Sequence, residues 1–436
     1  MFHRLEDNWK IVHYIVPSIC AMLVSFSYNI VDGIFVGLGV GASALAAVNL
    51  AVPFTEIMTA LASMLTLGGA TVTAIRRGRG DARGANAAFM ASSALVVLTG
   101  LILTAIGAGF TPQLAAAFGA TPALMRETVD YMRWYSLFSI FFTFSILLSA
   151  FVRNDGSPGL AFWGMVAGAV SNIFLDWLFI YPLGMGIKGA AIASGLGQIL
   201  ACAVLLLHFT KREGILRIKW ITPDAPLLKK VMTRGLPEFV IQISQPITIF
   251  CYNHVIVSHL GEAGLASFSA CTYMLLIIFA IFLGVSMGLQ PLVGDCFGHG
   301  EREDMQYFFR CGLWIDVVLC GLVYAAYAAA GPRALTLFLS DEGLIAAAYE
   351  ALKFYGFSMI PAAANIVYIT YFLSTKQTGR SMLIACSRGV VLNSLFIYAV
   401  PALFGTWSIW MSMIFAETLT LLLAVLVKAH GDAARP

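Results

Sequence analysis

Two carboxylates stand where the surrounding chain is almost wholly apolar: Asp32 in "SFSYNIVDGIFVG" (25–37) and Asp176 in "VSNIFLDWLFI" (170–180). Each has polar neighbours at helical spacing. Ser18, Met22, Ser25, Asn29 and Asp32 recur every three or four residues and so share one helix face, with Tyr28 one turn from Asp32. Asn172 and Asp176 stand at i, i+4, as do Ser194 and Gln198. A charge at the centre of a membrane helix costs about 2.5–3.5 kcal/mol, so an acid there needs a cavity or a partner. Carboxylate, amide and hydroxyl oxygens suit a small hard cation. Two desolvated acids brought close together would equally hold a proton. The chemistry expected is a cation site around Asp32 and Asp176, with proton or sodium as the ion and no other metal or cofactor. The competing reading is a set of hydrogen bonds that steady a bent helix.

These residues need membrane helices to position them. Of 436 residues, 59% are hydrophobic and 11% charged, against about 25% charged in a soluble domain. The chain is therefore expected to be an all-α integral membrane protein. Net charge is only +3, which points to no nucleic-acid partner. The polar start "MFHRLEDNWK" precedes an apolar run long enough to span and without a small-residue cleavage pattern, so no cleavable signal peptide is expected. Apolar runs of about 20 residues fall near 13–37, 50–75, 87–110, 131–152, 159–181 and 189–209, then near 234–257, 267–294, 307–330, 349–374, 381–404 and 406–428. That gives twelve spans. Asp32 then lies near the outer end of span 1 and Asp176 at a matching depth in span 5.

Lys and Arg set the direction. Of 26, only Arg126, Lys188 and Arg333 fall in outer loops and Arg133, Lys353 and Arg388 within spans, which leaves 20 on the side of both termini. Both termini are expected to be cytoplasmic. The longest polar break, 211–230, divides an N-terminal lobe (1–210) from a C-terminal lobe (231–436). The two lobes repeat. Shifted by 220 residues, Pro17 meets Pro237, Gly41 meets Gly261, Gly68 meets Gly288, and Gly78 and Gly80 meet Gly298 and Gly300. After a gap of three, Gly156 is set against Gly379. Six helices repeated in the same direction give two pseudo-symmetric lobes with a substrate site between them.

Other polar groups in the spans divide into wall and core candidates. The face of span 7 reads Glu238, Gln242, Gln245, Ile249, Tyr252: neutral and aromatic toward its middle, it suits a substrate wall, which Asn365 and Tyr368 of span 10 would extend. Interhelix hydrogen bonding accounts for these groups equally well. Glu56 of span 2 lies at a depth like that of Asp32 and is a candidate cavity acid or a cap at the outer mouth. Asp316, Arg388 and Glu417 suggest a buried ion pair of Arg388 with one of the acids. A lone His254 reads as a hydrogen-bonded wall residue. The eight cysteines lie mostly in apolar stretches without CxxC spacing, so they read as small core residues. "GLGVG" (37–41) lacks any βαβ context, and no HExxH, GxSxG or Walker sequence occurs, so no enzyme is expected. The arginines of "RRGRGD" (76–81) read as holders of orientation that contact lipid headgroups.

"YNIVDGIFVG", "ALAAVNLAVPF", "GLPEFVIQISQPI", "GLQPLVGDCFGHG" and "VSNIFLDWLFI" resemble the multidrug and toxic compound extrusion (MATE) transporters, particularly their bacterial MepA-type branch. The resemblance covers nearly the whole chain. It implies a V-shaped pair of six-helix lobes in the bacterial inner membrane that exports small amphipathic, mostly cationic compounds in exchange for protons or sodium ions; the chain is expected to be a monomer. In one branch, acids of helices 1 and 5 bind the coupling ion. This chain matches that pattern at Asp32, Asn172 and Asp176, with Ser194 where the pattern has a hydroxyl, and leaves Tyr28, Asn29, Gln198, Gln242, Gln245, Tyr252, Asn365 and Tyr368 for substrate. Another branch carries acids on helices 7 and 10. Here Tyr252 occupies the position equivalent to Asp32, and span 10 has Asn365 but no acid in its middle. The rival expectation is a flippase for lipid-linked oligosaccharides in the same superfamily, whose polyanionic cargo calls for several basic cavity residues; Arg388 is the one basic residue deep in a span.

Overall fold

The computed structural model describes residues 2–118, 120, 122, 124–211, 214–219, 224–337 and 342–433. Fifteen α-helices account for nearly all of them. The first eight are α1 (Phe2–Gly39), α2 (Ala42–Gly78), α3 (Ala82–Gly109), α4 (Thr111–Ala117), α5 (Met125–Leu137), α6 (Ser139–Asn154), α7 (Pro158–Ile180) and α8 (Gly186–Lys211). Then follow α9 (Ala225–His299), α10 (Arg302–Ala330), α11 (Glu342–Phe357), α12 (Met359–Ser374), α13 (Thr378–Cys386), α14 (Leu392–Phe404) and α15 (Ser412–Ala433). Only helices can cross a bilayer in this way, because each satisfies its own backbone polar groups.

The twelve expected spans map onto these helices. Ten helical segments among the described residues are long and apolar enough to cross, and α5 with α6, bent by 50° at Phe138, makes an eleventh. The twelfth is the first half of α9, whose helix is interrupted at Gly261 (φ 65°, ψ −160°). The fold is an all-α membrane fold of twelve spans in two sets of six.

Backbone geometry carries the repeat further than residue matching does. Gly41 has φ 128° and Gly261 φ 65°; Gly80 has φ 72° and Gly300 φ 85°. Both pairs are 220 apart and end equivalent helices. Positive φ is cheap only for glycine. The break between α5 and α6 at Phe138 recurs 220 residues on, between α11 and α12 at Ser358. One sequence pairing is corrected. Gly156 (φ 96°) has its backbone equivalent in Lys376 (φ 63°), again 220 on, and no gap intervenes there. Residue matching missed this because the left-handed turn is kept while the glycine is not.

By its contacts the chain forms two compact units: Met1–Phe239 with Gly294–Gly300, and Val240–Val293 with Glu301–Pro436. The boundary falls inside α9 rather than at the polar break. Small residues explain this. A Cβ on Gly68 would collide with the Val231 carbonyl, and one on Gly235 with the Met64 carbonyl, so α2 and the start of α9 meet backbone to backbone. Close approach through glycine is how membrane helices gain van der Waals contact when no hydrophobic effect drives them together.

Asp155 anchors the described part of the polar break to the first unit. Its carboxylate accepts hydrogen bonds from the backbone N–H of Ile215 and Leu216, both at 3.0 Å, and pairs with His208 Nε2 at 2.9 Å. All eight cysteines are free.

Candidate functional site

The site in the first unit is built by glycine packing between α7 and α8. A Cβ on Gly168 would lie 3.3 Å from the Gly197 carbonyl oxygen, and one on Gly197 would lie 2.9 Å from the Gly168 carbonyl oxygen and 3.2 Å from Asn172 Cβ. The two helices are thus locked one turn below Asn172, whose Nδ2 donates to Ser194 Oγ of α8 at 3.3 Å. Gln198, one turn along α8, accepts a hydrogen bond from Ser145 Oγ of α6 at 2.6 Å. Asp176 projects from α7 one turn beyond Asn172 and is fully buried.

Asp32 of α1 meets Asp176 of α7: their carboxyl groups lie within side-chain hydrogen-bonding reach of one another, and Asn172 borders Asp176 from below. The sequence spacing therefore does bring these residues together. Asp32 Oδ1, both carboxylate oxygens of Asp176 and Asn172 Oδ1 are shielded from solvent and, among the described residues, make no hydrogen bond of ordinary geometry. Nor, among the described residues, does any basic side chain act on either acid. Adjacent desolvated carboxylates repel strongly at low dielectric. A proton shared by the pair, or a small cation between its oxygens, would relieve that repulsion.

Tyr28 of α1 is half-buried beside both acids. The sequence did not point to two further tyrosines on α5. Tyr131 lies within electrostatic range of Asp32, Asp176 and Tyr28, and Tyr135 within range of Asp32, Tyr28 and Glu56. Their rings stack at 5.6 Å, and Tyr135 stacks on Phe142 at 4.3 Å. Their i, i+4 spacing was the available signal. It is a weak signal, because tyrosines are common in apolar spans and the hydroxyl carries no charge. Glu56 is exposed on α2. The side chain of Asn29 lies outside those described.

In the second unit the expected wall residues divide. Gln242 is half-buried, and the side chain of Gln245 lies outside those described. Tyr252 is 1% exposed, with its ring stacked on Phe268 at 5.6 Å and 6.1 Å from that of Tyr355. Tyr368 is also buried, edge-on to Phe309 at 5.0 Å. Asn365 faces α15, donating through Nδ2 to the Glu417 carbonyl at 2.9 Å and to Glu417 Oε2 at 2.8 Å. Tyr252, Asn365 and Tyr368 are thus core residues in this structure, because aromatic stacking and the Glu417 carboxylate already occupy them.

Of the two acids that could pair with Arg388, the structure selects Glu417. Arg388 Nε donates to both Glu417 carboxylate oxygens at 2.9 Å. Arg388 lies in a π-helical turn, Ser387–Val391, whose Gly389 carbonyl accepts from Thr248 Oγ1 at 3.0 Å. Asp316 is fully buried, with a weak contact from Cys320 Sγ at 3.7 Å. His254 is exposed and faces the rings of Phe250 and Tyr398 at 6.4 and 6.5 Å.

Comparison with known proteins follows the same division into halves. The family model described as MatE matches twice, at residues 17–178 and 241–399. The multidrug export protein MepA of Staphylococcus aureus (strain NCTC 8325 / PS 47) is 24% identical over 422 residues, covering 95% of this chain and 92% of its own. That of Staphylococcus saprophyticus is 23% identical over 420 residues, with the same two coverages. Among solved structures, the outward-facing conformation of a multidrug resistance MATE family transporter of the MOP superfamily has a TM-score of 0.92 at 24% identity, covering 98% of this chain and 96% of that one. A MOP superfamily transporter from Pyrococcus furiosus, reported with a binding pocket of reverse polarity, has a TM-score of 0.91 at 24% identity with the same coverage.

Proposed function

This chain belongs to the MatE family, and on that premise we propose that it is a multidrug exporter of the bacterial plasma membrane, a secondary transporter and not an enzyme. It exchanges amphipathic, mostly cationic compounds for protons or sodium ions by alternating access, with both termini in the cytoplasm. The observation that carries this reading is the Asp32–Asp176 contact, in which two buried carboxyl groups meet and, among the described residues, no basic side chain balances them. A cation entering this pair removes the repulsion; its departure restores it. That difference in charge is what an ion gradient can act on. Asn172 and Ser194 contribute neutral oxygens, and Tyr28 a hydroxyl beside the pair. Gln198, Asn29, Gln242 and Gln245 remain the polar candidates for substrate contact, and Glu56 a further acid for a cationic drug.

The rival flippase reading loses support at Arg388. Arg388, the basic residue expected deep in a span, pairs with Glu417 and offers no free charge to a polyanionic headgroup.

The test is efflux of a cationic dye from proteoliposomes under an imposed proton or sodium gradient. Asp32→Asn and Asp176→Asn keep the shape and remove the charge, so each should abolish gradient-driven export while the protein still inserts and binds dye. Export at the wild-type rate by either variant would remove that residue from the coupling site.

A further inference from the structure

A second charged cluster lies at the end of the first unit that holds the polar break, and it is basic. Arg76 and Arg79 close α2, while Lys230 and Arg234 stand in the first turns of α9. The glycine contacts of Gly68 with Val231 and of Gly235 with Met64 bring these two helices together. The four cations are therefore forced into mutual range. Lys230 is acted on by Arg234, Arg76 and Arg79, and Arg234 by Arg79, with no acid among the groups acting on either. Partial burial, and then these three arginines, hold the Lys230 ammonium below its ordinary pKa.

The nearby acids are engaged elsewhere. Asp81 Oδ1 accepts from Gly84 N at 2.8 Å and Asp224 Oδ1 from Leu227 N at 3.2 Å, each capping a helix. Among the described residues none of the four cations makes an ion pair. Arg76 Nη1 donates to the Gly84 carbonyl at 2.8 Å, whereas Arg234 Nη1 is buried without an acceptor. The carbonyl end of α2 favours cations beside it, which accounts for Arg76 and Arg79. It does not account for Lys230 and Arg234. Leaving a charged donor buried and unpaired is costly, and an anion with several acceptor oxygens would relieve the repulsion and fill that valence together.

We propose that Arg76, Arg79, Lys230 and Arg234 form a binding site for one phosphate group, which bridges the end of α2 and the start of α9. Guanidinium forks match phosphate oxygens in pairs, and Lys230 adds a mobile point charge. The phosphate comes either from the headgroup of an anionic phospholipid or from free inorganic phosphate. The site is separate from the Asp32–Asp176 pair and stands or falls independently of the transport reading.

The test uses the full chain, purified and delipidated in an uncharged detergent, with binding followed by native mass spectrometry. Three probes are titrated: dioctanoyl phosphatidylglycerol, inorganic phosphate, and dioctanoylglycerol, which lacks a phosphate. The expected result is saturable binding of phosphatidylglycerol or phosphate and none of dioctanoylglycerol. Arg234→Gln should weaken it by roughly tenfold or more, the range for a hydrogen bond to a charged group. Arg234→Lys should lose less, and Arg83→Gln, an exposed cation outside the cluster, should bind normally. Lipid binding that phosphate cannot displace identifies a headgroup; displacement identifies a site open to the free anion. Should Arg234→Gln not fold, Lys230→Gln at an exposed position carries the comparison. Absence of binding by both phosphate probes, equal binding of dioctanoylglycerol, or equal weakening by Arg83→Gln would overturn the proposal.

Discussion

Gly78 and Gly298, which the 220-residue repeat makes equivalent, touch each other within the first unit. A Cβ added to Gly78 would lie 2.8 Å from the Gly298 Cα and would collide with the Asp295 carbonyl. The contact is guarded on one side by Arg77, whose Nε donates to Asp295 Oδ1 at 3.0 Å and whose Nη1 donates to the Asn154 carbonyl. Backbone faces backbone here, so there is no flexible side chain to yield. Gly78→Ala should therefore destabilise the protein by about 1–3 kcal/mol, as overpacking does. Gly159→Ala, where a Cβ meets nothing within 4 Å, should leave stability close to wild type. Thermal unfolding of both variants in detergent makes the comparison; equal midpoints would mean that the helices separate freely at this point.

The buried pair of the second unit gives the opposite kind of dependence. Arg388 and Glu417 neutralise each other, and Asn365 fills a remaining valence of the carboxylate. Removing one partner strands a charge in the membrane interior, which costs about 3–5 kcal/mol. Arg388→Met alone should thus be more destabilising than Arg388→Met combined with Glu417→Gln, which removes both charges. Unfolding of the two single variants and the double variant measures this. A double variant as unstable as the sum of its parts would show that the pair is not coupled.

The sequence made the acids legible because charge is rare in a membrane span and helical spacing is easy to read. Asp32, Asn172 and Asp176 were visible for that reason, and the structure assembles them from α1 and α7. Tyr131 and Tyr135 were not, since a tyrosine in a span is ordinary until something charged is known to lie beside it. The repeat was visible where glycine was kept, at Gly41 and Gly261, and was misaligned where Lys376 adopts the turn that Gly156 makes. Whether Arg388 pairs with Glu417 or Asp316 depends on which helices are neighbours, and depth along a span carries no such information. The burial of Tyr252 was hidden for the same reason, because its partners Phe268 and Tyr355 come from spans 8 and 10.

Topology can be tested apart from mechanism. By the asymmetry of Lys and Arg, the proposed orientation has 211–230 in the cytoplasm and 39–48 outside. Single cysteines introduced into 211–230, in a background lacking the eight native ones, should react with an impermeant maleimide only from the cytoplasmic side of oriented vesicles. Those in 39–48 should react only from the other. Labelling of both segments from one side would require an even number of crossings between them, against the five expected, and would overturn the twelve-span arrangement.

Tyr252 separates a packing role from a binding role. Its position in the repeat, equivalent to Asp32, suggested a wall for aromatic cations, yet its ring is enclosed by Phe268 and Tyr355 and its hydroxyl is buried without a partner. Removing the whole ring should open a cavity and cost about 3–5 kcal/mol, the range for losing a large buried aromatic side chain. Removing only the unpaired hydroxyl takes away a polar group that gains nothing from burial, so Tyr252→Phe should be neutral or slightly stabilising. Tyr252→Ala should then unfold at a markedly lower temperature while Tyr252→Phe matches or exceeds wild type, and dye binding by the Phe variant should be unchanged. A Phe variant that folds normally but binds cationic dyes more weakly would mean that the hydroxyl reaches substrate in another conformation, and would return Tyr252 to the wall of the binding site.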